Sequence, residues 1–182
     1  NTAAFGKALL EAYEWGLIPR LPRLAAIQAE GASPFAQAFA RDFDRLVPMA
    51  AHTVATAIKI GAPASYDRAV RAIRATHGVV RSVTDAEILA AKAAIDAAGV
   101  GCEPASAATL AGIRQLRADG VIRSGERVVG VLTGHVLKDP GILQTMHQET
   151  EPPPSWANCP IRIAPEVAAV RRVLDAALLE RE

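Results

Sequence analysis

Apolar side chains recur at helical spacing in several segments of the chain, and short apolar runs lie between these segments. Phe5 and Leu9 lie on one side of the first segment and predict a helix that ends at Gly16. Asn1 or Thr2 can cap this helix, because a side-chain oxygen there accepts hydrogen bonds from the amides of the first turn. The chain therefore opens with an amphipathic helix.

The same two patterns alternate along the rest of the chain. Further helices are predicted over 34–43, 65–73, 84–98, 106–118 and 165–179. Strands are predicted over 24–29, 79–83, 99–102 and 126–132, the last with the strongest strand pattern. Residues 53–61 fit either a strand or a short helix, while Thr84 and Glu87 have the spacing of a capping box at the start of a helix.

Strands that alternate with helices through short connections indicate an α/β fold, with a three-layer parallel sheet and helices on both faces. A polar, proline-rich stretch after residue 147 changes the composition of the chain. We therefore predict a main α/β region over 1–147, a linker over 148–164 and a carboxyl-terminal helix over 165–182. That last helix fits either docking back on the main region or a contact with another subunit.

Composition narrows the function without identifying it. The 182 residues carry 20 Lys+Arg and 19 Asp+Glu, so the formal charge is +1 and gives no reason to expect nucleic acid or an anionic membrane as a partner. The longest uncharged stretch, 46–58, is too short to span a bilayer. Cys102 and Cys159 are expected to be reduced thiols in the cytoplasm, and no histidine has the spacing of a zinc ligand.

Three of the predicted strands end in unusual residues. These ends are Glu30–Gly31, Glu103–Ser106 and Thr133–His135. In an open α/β sheet, ligands bind beyond the carboxyl ends of the strands, and small residues there let a ligand approach the backbone closely. Each end alone could be an ordinary strand-to-helix turn, but three together predict a pocket.

These residues also resemble a known family. Residues 1–35, Thr-Ala-Ile-Lys-Ile-Gly-Ala-Pro-Ala-Ser over 56–65, Glu-Pro-Ala-Ser-Ala-Ala over 103–108 and Leu-Thr-Gly-His-Val-Leu-Lys-Asp-Pro over 132–140 resemble threonine synthase. That family consists of pyridoxal-phosphate enzymes of fold type II, which are similar to the tryptophan synthase beta chain. The resemblance covers residues 1–140 in the family's order and is limited to its carboxyl-terminal half. It makes residues 1–147 the carboxyl-terminal part of a cofactor-binding catalytic region.

The resemblance implies a lyase that converts O-phosphohomoserine and water into threonine and phosphate, with pyridoxal 5'-phosphate as cofactor. It places Thr133 opposite the pyridine nitrogen, where a neutral hydroxyl favours an unprotonated ring. It places Asn1 beside the cofactor phosphate, at the amino end of a helix. Glu103 and Ser106 complete the cofactor-binding residues that it implies.

The sequence departs from the family in its lysines. It contains only Lys7, Lys59, Lys92 and Lys138, and none has the Ser-Phe-Lys-Asp setting of the lysine that forms the family's Schiff base. Lys7 and Lys92 are interpreted as solvated charges on amphipathic helices, and Lys59 and Lys138 belong to other family motifs. No catalytic residue is therefore assigned, and the chain alone is expected to be inactive. The implied partners are the missing amino-terminal half and a second copy in a homodimer.

Two alternatives remain open. The first is a threonine dehydratase-like deaminase of the same fold, and the Thr-Gly-His-Val-Leu-Lys-Asp-Pro segment argues against it. The second is a non-catalytic α/β module with a vestigial site, which the missing lysine favours and the retained Thr133, Glu103 and Ser106 disfavour. Visible colour from bound cofactor would separate an enzyme from a vestigial module.

Overall fold

The computed structural model of the protein describes residues 1–148, 154–158 and 160–179. The helices are α1 (Thr2–Glu14), α2 (Pro34–Phe39), α3 (Tyr66–Ala75), α4 (Asp85–Ala97), α5 (Pro104–Ala118), α6 (Gly141–Gln148) and α7 (Val167–Leu179). The strands are β1 (Ala25–Ala29) and β2 (Val79–Val83). Single 3-10 turns occur at Glu30–Ala32, Thr56–Ile58 and Val136–Lys138, so the ambiguous segment 53–61 contains a short helical turn.

The two strands pair in parallel, in a register that runs from Ala25 opposite Val79 to Ala29 opposite Val83. Successive side chains of a strand point to opposite faces of the sheet. Val80 accordingly belongs to one apolar cluster and Val83 to another. The sheet therefore contributes to a separate core on each face.

Helices cover both faces of this sheet. Phe35 of α2 and Ile73 of α3 pack in the cluster that contains Val80. Ile88 of α4 packs with the alanines of α5 in the cluster that contains Val83. This arrangement of helix, parallel sheet and helix confirms the predicted fold class. The helix α1 lies on α3, outside the sheet.

Two predicted strands are wrong. Residues 99–102 are not a strand, because Gly99 and Gly101 have φ angles of 78° and 67°, which are left-handed and incompatible with an extended strand. Residues 126–132 pair with no strand in the part of the chain that the structure describes. Val129 in this segment is 87% exposed, and a strand without a neighbour has nothing to accept or donate its ladder hydrogen bonds.

The helix predicted over 34–43 ends early, at Phe39. Asp42 and Phe43 have φ angles of 51° and 60°, so the backbone turns out of the helix there. The turn brings the Phe43 ring within 5.2 Å of the Phe35 ring and 5.4 Å of the Phe39 ring. Aromatic packing therefore replaces the last predicted helical turn.

The predicted helix starts differ in how they are capped. Thr84 and Glu87 form the predicted capping box, in which each side chain accepts a bond from the other residue's amide. Asn1 precedes α1, but its side chain makes no capping hydrogen bond. The backbone amides in the first turn of α1 are therefore not bound by the side chain of the residue that precedes the helix.

The carboxyl-terminal part of the chain is described only in pieces. The helix α7 buries Ala169, whereas Val167, Leu174 and Leu178 on it are exposed. The predicted boundaries at 147–148 and 164–165 stay predictions, and Cys159 lies outside the described residues. Within the described ranges, no helix has both the length and the apolar character needed to cross a membrane.

Candidate functional site

Two of the predicted strand ends meet at the start of α5. Glu103 immediately precedes this helix, and its backbone N–H donates to the carbonyl of Gly134 over 3.0 Å. The Gly134 N–H donates in turn to the Ser106 hydroxyl over 2.9 Å. The N–H and the carbonyl of Gly134 are thus both bound to the first turn of α5, which fixes the neighbouring Thr133.

The carboxylate of Glu103 is buried beside this contact. Glu103 is only 3% exposed, and Lys138 donates to its Oε1 atom over 3.2 Å. A buried carboxylate needs such compensation, because removing its water costs free energy. A Cβ atom at Gly134 would overlap the Glu103 carboxylate, so only glycine allows this approach.

Thr133 is exposed next to this cluster. Among the described residues its hydroxyl has no hydrogen-bond partner, so it is available to a bound molecule as donor or acceptor. His135, two residues later, already uses Nδ1 to accept from the Leu137 N–H over 3.2 Å. Both side chains are exposed, so the Thr133 hydroxyl and the remaining ring nitrogen of His135, Nε2, are both available to a ligand.

Asn1 lies at another cavity. It lines a groove of about 880 Å³ together with Gln28 of β1 and Tyr66 of α3. Because the Asn1 side chain makes no cap, it does not compete for the amides of the first turn of α1. Such amides bind phosphate groups through hydrogen bonds and the helix dipole. Thr133 is not among the lining residues of this groove.

Tyr66 is a residue of this groove that sequence analysis missed. Its hydroxyl is buried and has no hydrogen-bond partner among the described residues. Burial raises the pKa of this phenol, with a smaller contribution from the Asp44 carboxylate. The only sequence signal was an aromatic residue directly after the predicted helix start at Ser65.

The third predicted strand end does not join the Glu103 cluster. Glu30 is exposed, and its carbonyl accepts from the Ser33 hydroxyl over 2.7 Å. The carbonyl of Gly31 accepts from the His52 N–H over 2.8 Å, and a Cβ at Gly31 would overlap the His52 backbone. This end is a tight backbone contact between two loops.

Lys7 and Lys92 were both predicted to be solvated charges, and the structure bears this out for only one of them. Lys7 is 72% exposed and pairs with Glu11, as a solvated charge should. Lys92 is 0% exposed, so its interpretation as a solvated charge was wrong. Asp96, one helical turn later, and the carbonyl of Cys102 replace water around its ammonium group. The spacing from Lys92 to Asp96 was the available sequence signal.

Two groups, one beside the Glu103 cluster and one in the groove at Asn1, suit different parts of pyridoxal phosphate. Thr133 offers a neutral hydroxyl with no internal partner, which suits a ring nitrogen. The uncapped amino end of α1 beside Asn1 suits a phosphate group. Ser106 and Glu103 are committed to internal bonds, so they support the segment that carries Thr133. The assignment of all four residues to a cofactor site stays a prediction.

Comparison with known proteins agrees with this chemistry. A family model described as "Pyridoxal-phosphate dependent enzyme" matches residues 1–134. The chain is 36% identical to threonine synthase from Methanocaldococcus jannaschii, over 96% of the chain and 41% of the relative. It is 45% identical to threonine synthase from Methanosarcina acetivorans, over 77% of the chain and 35% of the relative. The chain thus spans well under half the length of these relatives.

Solved structures show the same fold. The structure of maize serine racemase matches 81% of the chain and 44% of its own length, with a TM-score of 0.56 and 23% identity. A threonine deaminase from T.th. matches 64% of the chain and 40% of its own length, with a TM-score of 0.50 and 18% identity. At these identities the likeness concerns the fold alone.

Proposed function

The chain belongs to the family of pyridoxal-phosphate-dependent enzymes, and we propose that it is the carboxyl-terminal part of a threonine synthase. In this proposal the complete polypeptide converts O-phosphohomoserine and water into threonine and phosphate. The relatives named threonine synthase support it, since they match most of the chain at 36–45% identity. Their matches lie in the carboxyl-terminal part of each relative.

The contact of Gly134 with Glu103 and Ser106 is the observation that carries the proposal. It joins two distant segments, 103–108 and 132–140, which are two of the four segments that resemble threonine synthase. Two hydrogen bonds of 3.0 and 2.9 Å hold them together and leave Thr133 exposed at the junction. An exposed hydroxyl on a rigidly held backbone is suited to orient a flat ring.

The cofactor, when bound, supplies an electron sink beside the carbon that carries the substrate amino group. Thr133 would donate a hydrogen bond to the ring nitrogen and so keep this nitrogen unprotonated. The amino end of α1 beside Asn1 would hold the cofactor phosphate. The carboxylate of Glu103 is bound to Lys138, so it supports the segment that carries Thr133 and is not assigned to the ring.

No lysine of this chain is assigned as the one that holds the cofactor. Lys7, Lys92 and Lys138 are engaged with Glu11, Asp96 and Glu103, respectively. Lys59 belongs to another motif of the family and lacks the Ser-Phe-Lys-Asp setting. We propose that the rest of the complete polypeptide supplies this lysine, that the 182-residue chain alone is inactive, and that the complete enzyme is a cytoplasmic homodimer.

The test is an assay of the complete polypeptide with pyridoxal phosphate and O-phosphohomoserine. The proposal expects threonine and inorganic phosphate in equal amounts, and no phosphate from the 182-residue chain alone under the same conditions. The same preparation is then given threonine. A deaminase would release ammonia and a 2-oxo acid from threonine and no phosphate from O-phosphohomoserine. That result would contradict the proposed synthase and favour the deaminase, which shares the fold. A colourless and inactive complete protein would indicate a vestigial module.

A further inference from the structure

The buried ion pair of Lys92 and Asp96 in α4 is not used by the proposed site. The Lys92 Nζ atom donates to Asp96 Oδ2 over 2.6 Å, and the two side chains are 0% and 16% exposed. A lysine this deeply buried is unusual, since its charge has lost all contact with water. The two residues lie one helical turn apart on α4, and both contact the segment that precedes α5.

Both side chains also bind the backbone of Cys102. Lys92 donates to the Cys102 carbonyl over 2.8 Å, and Asp96 Oδ1 accepts from the Cys102 N–H over 3.2 Å. The N–H and the carbonyl of one residue are therefore held by two side chains from a single helix. We call this arrangement of Lys92, Asp96 and the Cys102 backbone the peptide clamp.

Stability alone explains this arrangement poorly. Replacing a buried ion pair by apolar side chains of similar size is often neutral or stabilising, because the desolvation cost disappears. An apolar pair could fill the same space, but it could not fix the direction of a peptide group. Directional hydrogen bonding to the backbone is what this pair adds.

The clamped residue stands directly before the candidate site. Gly99 and Gly101 precede it and have left-handed φ angles. Glycine restricts the backbone conformation little, so these two residues do not fix the position of Cys102 by themselves. Cys102 is followed by Glu103, whose N–H binds the Gly134 carbonyl. Contacts thus run without interruption from α4 through Cys102 and Glu103 to the segment that carries Thr133.

We propose that Lys92 is a positioning residue, which acts with Asp96 through the peptide clamp to set the position of Glu103 and of the Thr133–Gly134 segment. It touches neither cofactor nor substrate. The role in turnover rests on the proposed function, while the effect on the backbone does not.

The first test compares Lys92→Met with Arg41→Met in the complete enzyme. Arg41 also pairs with a carboxylate near it in sequence, Asp44, but both side chains are exposed and neither lines the groove beside Asn1, so Arg41→Met is the control. Lys92→Met is expected to lower kcat per bound cofactor about ten- to hundredfold, since misplacement of a site by about 1 Å has such effects. KM should change much less, and the visible band of the cofactor should shift. Arg41→Met should leave all three unchanged.

A merely structural role gives a different result. It would lower the melting temperature and the amount of bound cofactor, but kcat per bound cofactor would stay that of the wild type. This outcome would overturn the proposal. If Lys92→Met does not fold, Asp96→Asn is used for the same test. This variant keeps the size of the side chain and removes one of its two acceptor oxygens. A folded Asp96→Asn with unchanged kcat would also overturn it.

Alkylation of Cys102 tests the peptide clamp without any cofactor. The thiol is buried in the wild type, and the peptide that contains it can be followed by mass spectrometry after treatment with iodoacetamide. Faster labelling is expected in Lys92→Met, but not in the control Arg41→Met. Unchanged labelling would refute the clamp. If the wild type releases no phosphate while this labelling difference appears, the proposed function fails and the clamp stands.

Discussion

Replacement of Gly134 by alanine tests the contact that forms the candidate site. The added Cβ would overlap the Glu103 side chain at its Oε1, Cδ and Cγ atoms. Glu103 is buried and has little room to turn away. Either the carboxylate leaves Lys138, or the backbone of 133–135 moves away from the first turn of α5.

The cost follows from these two routes. Overpacking of a buried site costs about 1–3 kcal/mol. Loss of the hydrogen bond from the Glu103 N–H to the Gly134 carbonyl adds about 0.5–1.5 kcal/mol. The Lys138 side chain is 58% exposed, so solvent screens its ion pair and loss of that pair adds little. Gly134→Ala should therefore lower the free energy of unfolding by about 1.5–4.5 kcal/mol.

Urea unfolding of the complete protein measures this change, with Gly141→Ala as the control. A Cβ at Gly141 meets nothing within 4 Å, and its φ angle is ordinary, so this variant should stay within about 1 kcal/mol of the wild type. Cofactor affinity, followed by absorbance, should fall in Gly134→Ala alone, because Thr133 moves with its neighbour. Equal stability of Gly134→Ala and the wild type would refute the close approach of Gly134 to Glu103.

Three further predictions concern single side chains. Thr133→Val in the complete enzyme should weaken cofactor binding by about 1–3 kcal/mol, since a buried ring nitrogen would lose its partner; an unchanged absorbance titration would remove this role. Thr84→Ala should destabilise the protein by about 0.5–2 kcal/mol in thermal or urea unfolding, because it breaks the capping box of α4. Ser65→Ala should destabilise the protein less, because the Ser65 side chain caps no helix. Equal destabilisation by Thr84→Ala and Ser65→Ala would contradict the capping role of Thr84. Burial raises the pKa of the Cys102 thiol from 9.0 to about 11, so at pH 8 it should alkylate roughly a hundredfold more slowly than an ordinary thiol. The native state then holds the proton more tightly than the unfolded state, so the free energy of unfolding should fall as the pH rises from about 9 to 11. Rapid labelling at pH 8 would contradict this burial.

The elements that the sequence predicted correctly are those whose pattern is local. The strand at 79–83 follows from its run of valines, and the box of Thr84 and Glu87 follows from spacing alone. Residues 103–106 and 133–135 were expected to lie together because each was predicted to follow a strand. The two segments do meet, but neither follows a strand here, so the reason given for the prediction was wrong.

Two of the failures depend on contacts that the local pattern does not contain. Residues 126–132 have a strong strand pattern, but a strand also needs a neighbour, and the described residues offer none. Lys92 looks like any surface lysine until the carbonyl of Cys102, ten residues later, is placed against it. Burial of a charge depends on such contacts, which helical periodicity does not contain.

We propose that the cofactor site is shared between these residues and the rest of the polypeptide. The most direct test is to locate the lysine that holds the cofactor. The complete protein is loaded with pyridoxal phosphate, reduced with borohydride, digested and mapped by mass spectrometry. We expect a single pyridoxyl-lysine, at a position outside residues 1–182. The label on Lys7, Lys59, Lys92 or Lys138 would contradict the division of the site, and a protein that takes up no label would contradict the cofactor role itself.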